Sequence, residues 1–454
     1  MPQAAARTAT ASLQWPLAAA LLLLCLVLGG GQGTLGDALC QALAALLIIT
    51  TLWRSQTEAD AALPRAAWLA LLPLALPLLQ LLPAPEALWL ASPERVEIAA
   101  QLATAGVEPA HRLSLVPYGT HTALTWLLPA MALFLAALQF TVRQRLRLVA
   151  VLLTVAVGGT VLGIAQLAGG PDSALRFYTI TNPSEAVGFF ANRNHFASQL
   201  ALALPFVLIG TAAWWSARRD DSHAALLWLL AGIGLAALLI LGIALARSRA
   251  GLLLGMVAIA LSVPAVLALR RQRGGTRRII AVIVAVGLLL SIQFALFGIL
   301  QRFKADPMED SRFQYAALSA QAAQDHGPLG TGLGGFRRAF EAYDVDSPIN
   351  AYINHAHNDY AELWLEGGWL ALALALGLAV AYVLASWRAW RRDGASAREQ
   401  LLARGAIIGL LSLALHSLGD YPLRTTALLA CAGLLAALLS PPRSQQTHTQ
   451  IKRT

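Results

Sequence analysis

The chain has 454 residues, 57% of them hydrophobic and only 13% charged, with a mean hydropathy of +0.61. A soluble domain carries about a quarter charged residues, so this composition excludes an ordinary soluble enzyme and predicts a polytopic membrane protein. The formal charge of +9 sits in short arginine clusters between apolar runs, which reads as a topology signal and argues against a nucleic-acid partner.

The first apolar run, Leu17 to Leu28, follows Arg7 and resembles a signal peptide. No small-residue cleavage pattern closes it, so it reads as a retained first helix. Runs of spanning length then follow. In all they fall at 13–30, 36–53, 66–83, 121–140, 148–168, 195–216, 224–246, 250–269, 279–299, 363–386, 402–416 and 424–440. At about 20 residues per crossing they predict an all-α protein with about twelve transmembrane helices. Pro73 and Pro77 interrupt the third, and the eleventh is short. Cys25, Cys40 and Cys431 lie inside apolar runs, without disulfide or metal-ligand spacing, and read as buried packing residues.

Basic residues set the orientation. With the N-terminus inside, the inner connections hold Arg54 to Arg65, Arg143 to Arg147, Arg218-Arg219, Arg270 to Arg278, Arg388 with Arg391-Arg392, and the tail from Arg443. The positive-inside rule therefore predicts both ends on the inner side. The segments 84–120, 169–194, 300–358 and 416–424 then face outward. The expected organisation is transmembrane helices 1–9 over 1–299, a mostly helical outer loop at 300–358, helices 10–12 over 359–440, and an inner tail at 441–454. Within the loop, Ser311 to Gln324 predicts a helix with Phe313, Ala317 and Ala320 on one face. The glycine-rich run Gly327 to Gly335 predicts a flexible turn after it.

Three arginines break the apolar pattern on the outer side: Arg193 before the sixth helix, and Arg247 and Arg249 before the eighth. Guanidinium groups bind phosphate in a bidentate manner and stay charged in a low dielectric, so the set predicts a diphosphate clamp. The two helix starts add favourable dipole ends for an anion. The competing reading for each arginine is a side chain snorkelling to lipid headgroups.

His355-Ala356-His357-Asn358-Asp359-Tyr360 places two imidazoles, an amide and a carboxylate at the mouth of the tenth helix. Ionisable groups there are costly and so are functional candidates. His357 and Asn358 are positioned to face a cavity, with His355 turned the other way. Asp359, Glu362 and Glu366 share a helix face, and one of them is expected to orient His357 as a general base. The His-x-His-x-Asp spacing is weak as a metal signature, so no metal or cofactor is expected. Arg312 on the loop helix is a further substrate-binding candidate. Asp420-Tyr421-Pro422, flanked by His416 and Arg424, reads as a structural polar wall, and His195 reads as packing behind Arg193.

These phrases carry a resemblance. Gly188 to Phe196, Arg247-Ser248-Arg249-Ala250-Gly251, Gly327 to Gly332 and His355 to Tyr360 resemble the O-antigen ligase and polymerase superfamily. The ligase pattern of His, Asn and a later Gly is met by His357, Asn358 and Gly368, while Ala371 departs from its last element. The resemblance implies a GT-C-like membrane enzyme of the bacterial inner membrane with a periplasmic active site and no metal. It also implies transfer of a glycan from undecaprenyl diphosphate to an acceptor sugar, with lipid A–core the acceptor for a ligase and a second lipid-linked glycan for a polymerase. Carried onto this chain, Arg193 and Arg249, or Arg247 in place of Arg249, hold the diphosphate and His357 activates the acceptor hydroxyl. Arg247, Arg312, His355, Asn358, Asp359 and Tyr360 are the further substrate-binding candidates. Membrane lipids are the expected surroundings. The rival from another class is a multi-spanning transporter, in which arginines bind an anionic substrate.

Overall fold

The computed structural model describes residues 2–31, 35–58, 62–217, 222–269, 287, 292, 307–343 and 353–443. The described residues are helical, with only isolated bridges, Pro83 to Arg112 and Thr141 to Arg443, outside helices and turns. Helices α1 (Pro2–Leu28) and α2 (Leu35–Thr57) form an antiparallel pair. A 3₁₀ turn at Arg65–Ala70 leads into α3 (Leu71–Gln80), followed by the short α4 (Glu86–Trp89) and α5 (Pro93–Thr104). Then come α6 (Pro117–Trp126), α7 (Leu128–Leu138), α8 (Val142–Ala168), α9 (Arg193–Ala217), α10 (Ser222–Leu245) and α11 (Arg249–Leu267). The C-terminal part contains α12 (Pro307–Asp325), α13 (Phe336–Phe340), α14 (Asp359–Trp390), α15 (Ala397–His416) and α16 (Thr426–Leu438).

Among the described residues seven helices are long and apolar enough to cross a membrane, against the twelve expected. The ninth expected span, 279–299, and the arginine loops 218–219 and 270–278 lie outside the described residues apart from 287 and 292. The third expected span is split into the 3₁₀ turn and α3, because Pro73 and Pro77 each lack a backbone donor. The fourth is divided between α6 and α7.

Helix α9 is the axis of the bundle: 83% of its apolar window is buried, and it packs on α10, α11 and α15. Small residues permit the close crossings, as expected where lipid tails are as apolar as the side chains. A Cβ on Gly251 of α11 would strike Ala197 of α9, and one on Gly433 of α16 would strike the Ala130 backbone of α7. These contacts bring the first turns of α9 and α11 to the same end of the bundle.

At the other end, Arg145 is fully buried. It donates to the carbonyls of Ala137, in the last turn of α7, and Ser440, just past α16. An arginine that reads as a topology marker therefore also fastens two helices together. The tail beyond 443 lies outside the described residues.

The region around α12 and α13 has its own core of Tyr315, Ala322, Ala323, Phe336, Phe340, Ala356 and Leu365. The helix expected at Ser311 to Gln324 is present as α12, but its buried face is Tyr315, Ser319, Ala322 and Ala323. Phe313 is 77% exposed and Ala317 is exposed, so the expected face is turned outward.

The glycine-rich run is a fixed loop instead of a flexible turn. Thr331 and Gly332 donate their backbone N–H groups to the carbonyls of Leu365 and Glu366. Gly334 and Phe336 donate theirs to the Glu366 carboxylate, at 2.9 and 3.1 Å. Arg95 of α5, fully buried, donates to the carbonyls of Leu113 and Gly330 at 2.6 and 2.7 Å and locks the loop from behind. Burial lowers the Arg95 guanidinium to about 10.

Candidate active site

The ninth turn of α14 never forms a continuous rod with the first. Gly368 breaks the helix with φ 59° and ψ −156°, a conformation open to glycine. The short segment above it, Asp359 to Gly367, carries three buried carboxylates: Asp359, Glu362 and Glu366. Asn358 starts the helix, accepting from the N–H groups of Tyr360 and Ala361 at 3.0 Å each. The three carboxylates surround Arg424, at 2.6 Å from Glu366, 3.5 Å from Glu362 and 3.7 Å from Asp359. Burial alone would lower the Arg424 guanidinium, but the three negative charges hold it well above its ordinary range. This arrangement is a charge cage that fixes the mouth of α14.

The cage leaves no carboxylate of α14 for His357. Glu362 accepts from His355 Nδ1 at 2.8 Å and from the Ala356 N–H at 2.9 Å. Asp359 accepts from Ser417 Oγ at 2.7 Å and from the Leu423 N–H at 3.2 Å. Glu366 holds the glycine-rich loop. The expected partnership of His357 with a carboxylate on its own helix is therefore corrected: the carboxylate facing it belongs to Asp420, between α15 and α16.

Asp420 is fully buried and gathers groups from four parts of the chain. His357 Nδ1 and His195 Nε2 each lie 3.5 Å from Oδ1. Oδ2 accepts from Asn194 Nδ2 at 2.6 Å and from Arg312 Nη1 at 3.2 Å, with His416 Nε2 at 3.8 Å. His416 is in turn held by Ser198 Oγ at 2.6 Å. Burial would raise the Asp420 carboxyl, but the imidazoles of His195 and His357 and the Arg312 charge keep it well below the usual carboxylate range. The polar wall expected at Asp420-Tyr421 is thus the centre of the cluster. In the sequence Asp420 stands four residues after His416 and two before Pro422, with no local feature that marks it off from a structural wall.

Tyr421 forms the floor among three histidines. Its ring lies 4.2 Å from that of His355, 5.0 Å from His357 and 4.9 Å from His195. Burial pushes its phenol up to about 12, with Asp420 adding to the effect and hydrogen bonds to Asn354 and Asn192 opposing it. His195 therefore packs on Tyr421 and Asp420, not behind Arg193.

His357 itself has φ 51°, a left-handed conformation that few non-glycine residues adopt. Strain of this kind costs about 1–3 kcal/mol and concentrates at functional sites. Its side chain keeps 17% exposure, more than any carboxylate or histidine contacting Asp420. Among the described imidazoles around Asp420, His357 is the partly open one.

The arginines occupy the same end of the bundle. Arg193 opens α9, one residue before the Asn194 that binds Asp420, and pairs with Glu185 at 2.7 Å. Asn182 Oδ1 accepts from the Arg193 backbone N–H at 2.9 Å. The neighbouring Ala186 N–H donates to the Leu245 carbonyl, two residues before Arg247. Arg247 is exposed with φ 48°, and Arg249 is the first residue of α11 after the Ser248 cap. The Gly251–Ala197 contact joins this helix start to that of α9.

Other nominated residues have structural partners. Tyr360 donates its hydroxyl to the Ala414 carbonyl at 2.9 Å, tying α14 to α15. Asn358 Nδ2 donates to the Leu418 carbonyl at 3.0 Å.

Four distant parts of the chain thus meet at one membrane-helix end: a strained, partly open histidine facing a buried aspartate, and arginines at two adjoining helix starts. No curated protein sequence matches the chain. The family model described as O-antigen ligase matches residues 234–376, a segment that contains Arg247, Arg249, Arg312, the glycine-rich loop, His357 and the kinked start of α14. The sequence of that segment, and the apolar helices that frame it, support membership of this chain in the O-antigen ligase superfamily.

Proposed function

We propose that the chain transfers a glycan from undecaprenyl diphosphate to an acceptor sugar hydroxyl at the Asp420 cluster, on the periplasmic side of the bacterial inner membrane. The matching family implies glycosyl transfer in general. The observation that carries the reading to these residues is the His357–Asp420 pair beside the arginine-bearing starts of α9 and α11.

The Asp420 charge, 3.5 Å from His357 Nδ1, favours the tautomer with its proton on Nδ1 and a bare Nε2. Nε2 takes the proton of the acceptor hydroxyl as its oxygen bonds to the anomeric carbon. The bond from that carbon to the diphosphate breaks in the same displacement, with inversion. Negative charge then grows on the lipid diphosphate, where Arg193, Arg249 and Arg247 stabilise it, and fixed cations do so more strongly in a dry site than in water. His355 and Tyr421 shape the wall against the sugar. Arg312 anchors Asp420 from the loop helix.

The preferred reaction is ligation to lipid A–core. Polymerisation onto another lipid-linked glycan is favoured by one observation: Ala371, where the ligase pattern has a larger residue or glycine, is buried against Leu76 and Leu333. The test uses purified protein, a synthetic polyprenyl-diphosphate glycan and either acceptor, with no nucleotide sugar. Transfer that disappears with His357→Ala supports the reading, and the acceptor that is used separates ligase from polymerase. Undiminished transfer by His357→Ala removes the proposed base, and transport without bond formation establishes the rival.

A further inference from the structure

A polar cavity lies at the far end of α14. Twenty-two residues separate Trp369 from Trp390 inclusive, a rise of roughly 33 Å, enough to cross the hydrocarbon core. The cavity is therefore at the opposite membrane interface from the Asp420 cluster, the one that the arginine distribution assigns to the inner side. It measures about 330 Å³ and is lined by Trp390, Arg391, Arg392, Asp393, Gln400 and Arg404.

Its walls are preorganised. Arg404 is 5% exposed, donates to the Ala265 carbonyl of α11 at 2.8 Å, and stacks over Trp390 at 4.9 Å. Arg392 donates to the Leu439 carbonyl at 2.9 Å, fixing the cavity against the end of α16. Arg391 is exposed and lies over Trp387 at 5.0 Å. Asp393 and the nearby Glu399 are the acidic groups at the rim. Gln400 is 8% exposed; its Nε2 donates to the Ala395 carbonyl, while its Oε1 is buried with no hydrogen-bond partner. Trp387 and Trp390 are 55% and 38% exposed, as indoles are where a helix meets the headgroup layer.

We propose that this cavity binds the phosphate of an anionic glycerophospholipid headgroup. The phosphate sits among Arg391, Arg392 and Arg404, and a headgroup hydroxyl donates to the buried Gln400 oxygen. Basic pockets between helices at a membrane interface suit such a ligand. A free phosphate ion has the same charge chemistry but no acyl chains to rest on the Trp387–Trp390 ridge. The site is separate from the glycan-transfer cluster and does not depend on its function.

Native mass spectrometry of the full chain, released from detergent supplemented with phosphatidylglycerol or with phosphatidylcholine, tests this. Phosphatidylglycerol is retained and phosphatidylcholine is not. Arg391→Ala/Arg392→Ala cuts retention by roughly 25-fold, about fivefold for each arginine. Arg388→Ala, one turn earlier and outside the cavity, leaves it unchanged. If the double variant does not fold, Arg391→Ala alone gives the smaller loss. Displacement of the lipid by millimolar inorganic phosphate assigns the site to a soluble anion; retention in its presence assigns it to the lipid. Equal retention of the two lipids, or an equal loss in Arg388→Ala, overturns the proposal.

Discussion

His357 Nδ1 lies 3.5 Å from the buried Asp420 Oδ1, although 63 positions separate the two residues in the chain. That spacing is long for a hydrogen bond, as catalytic contacts often are before substrate binds. Replacing Asp420 by Asn keeps the shape and removes the charge that selects the tautomer. We expect Asp420→Asn to lower kcat by about a hundredfold or more with little change in KM, and His357→Ala to lower it by about 10²–10⁴-fold. Steady-state transfer rates with both variants check this, and an unchanged kcat in Asp420→Asn would separate the aspartate from the chemistry.

The depressed Asp420 carboxyl also has a pH signature. Its folded pKa lies below the unfolded value, so its contribution to stability is complete above about pH 3.9 and fades as pH falls through the folded value. Thermal melting of wild type and Asp420→Asn in detergent should differ by a constant amount above about pH 5 and converge in stronger acid. A difference that grows with acidity would contradict the depressed carboxyl.

The arginines make a distinct prediction. Arg249→Lys keeps the charge but loses the planar fork, and should lower kcat/KM by roughly ten- to a hundredfold. Glu185→Gln, which loosens the partner of Arg193 at 2.7 Å, should have a smaller effect. Comparing donors bearing a diphosphate and a monophosphate is decisive: wild type prefers the diphosphate, and Arg249→Lys should lose part of that preference.

Arg424 is surrounded by three carboxylates, so removing it leaves buried negative charge without compensation. Arg424→Met should cost about 3–5 kcal/mol of stability, and Arg424→Met/Glu366→Gln should recover part of it. Melting temperatures of the two variants give the comparison. Equal stabilities would mean that Glu366 is satisfied by the Gly334 and Phe336 N–H groups alone.

Gly368→Ala should be similarly damaging. A Cβ there would strike the Pro328 carbonyl, and φ of 59° disfavours any side chain. We expect a loss of at least about 1–3 kcal/mol, together with loss of transfer. Gly377→Ala, in open space on the same helix, is the control and should be neutral.

Much of this was legible in the sequence, for identifiable reasons. Long apolar runs reveal spans, because each crossing needs an unbroken stretch. His357 announced itself as an imidazole at a helix mouth. Its partner did not: Asp420 lies in a different connection, and nothing local distinguishes a hub from a wall. The carboxylates of α14 misled because their helical spacing predicts a shared face but not which neighbour occupies it, and Arg424 takes that place. The glycine-rich run read as slack because glycine is permissive; the buried Arg95 and Glu366 that tie it down are distant in sequence. Only 11% of the apolar window of α14 is buried, so its hydropathy reflects an open apolar face and says little about the cage at its start.

The bend at Gly368 has a mechanical consequence. The lipid-facing length of α14 is joined to the carboxylate-bearing turn by a joint, not by a continuous rod. At that bend the Trp369 N–H donates to the Pro328 carbonyl, so any lean of the long arm is expected to meet the glycine-rich loop before it reaches the ion cage around Arg424. The same contact that breaks the helix thus shores up its carboxylate-bearing end.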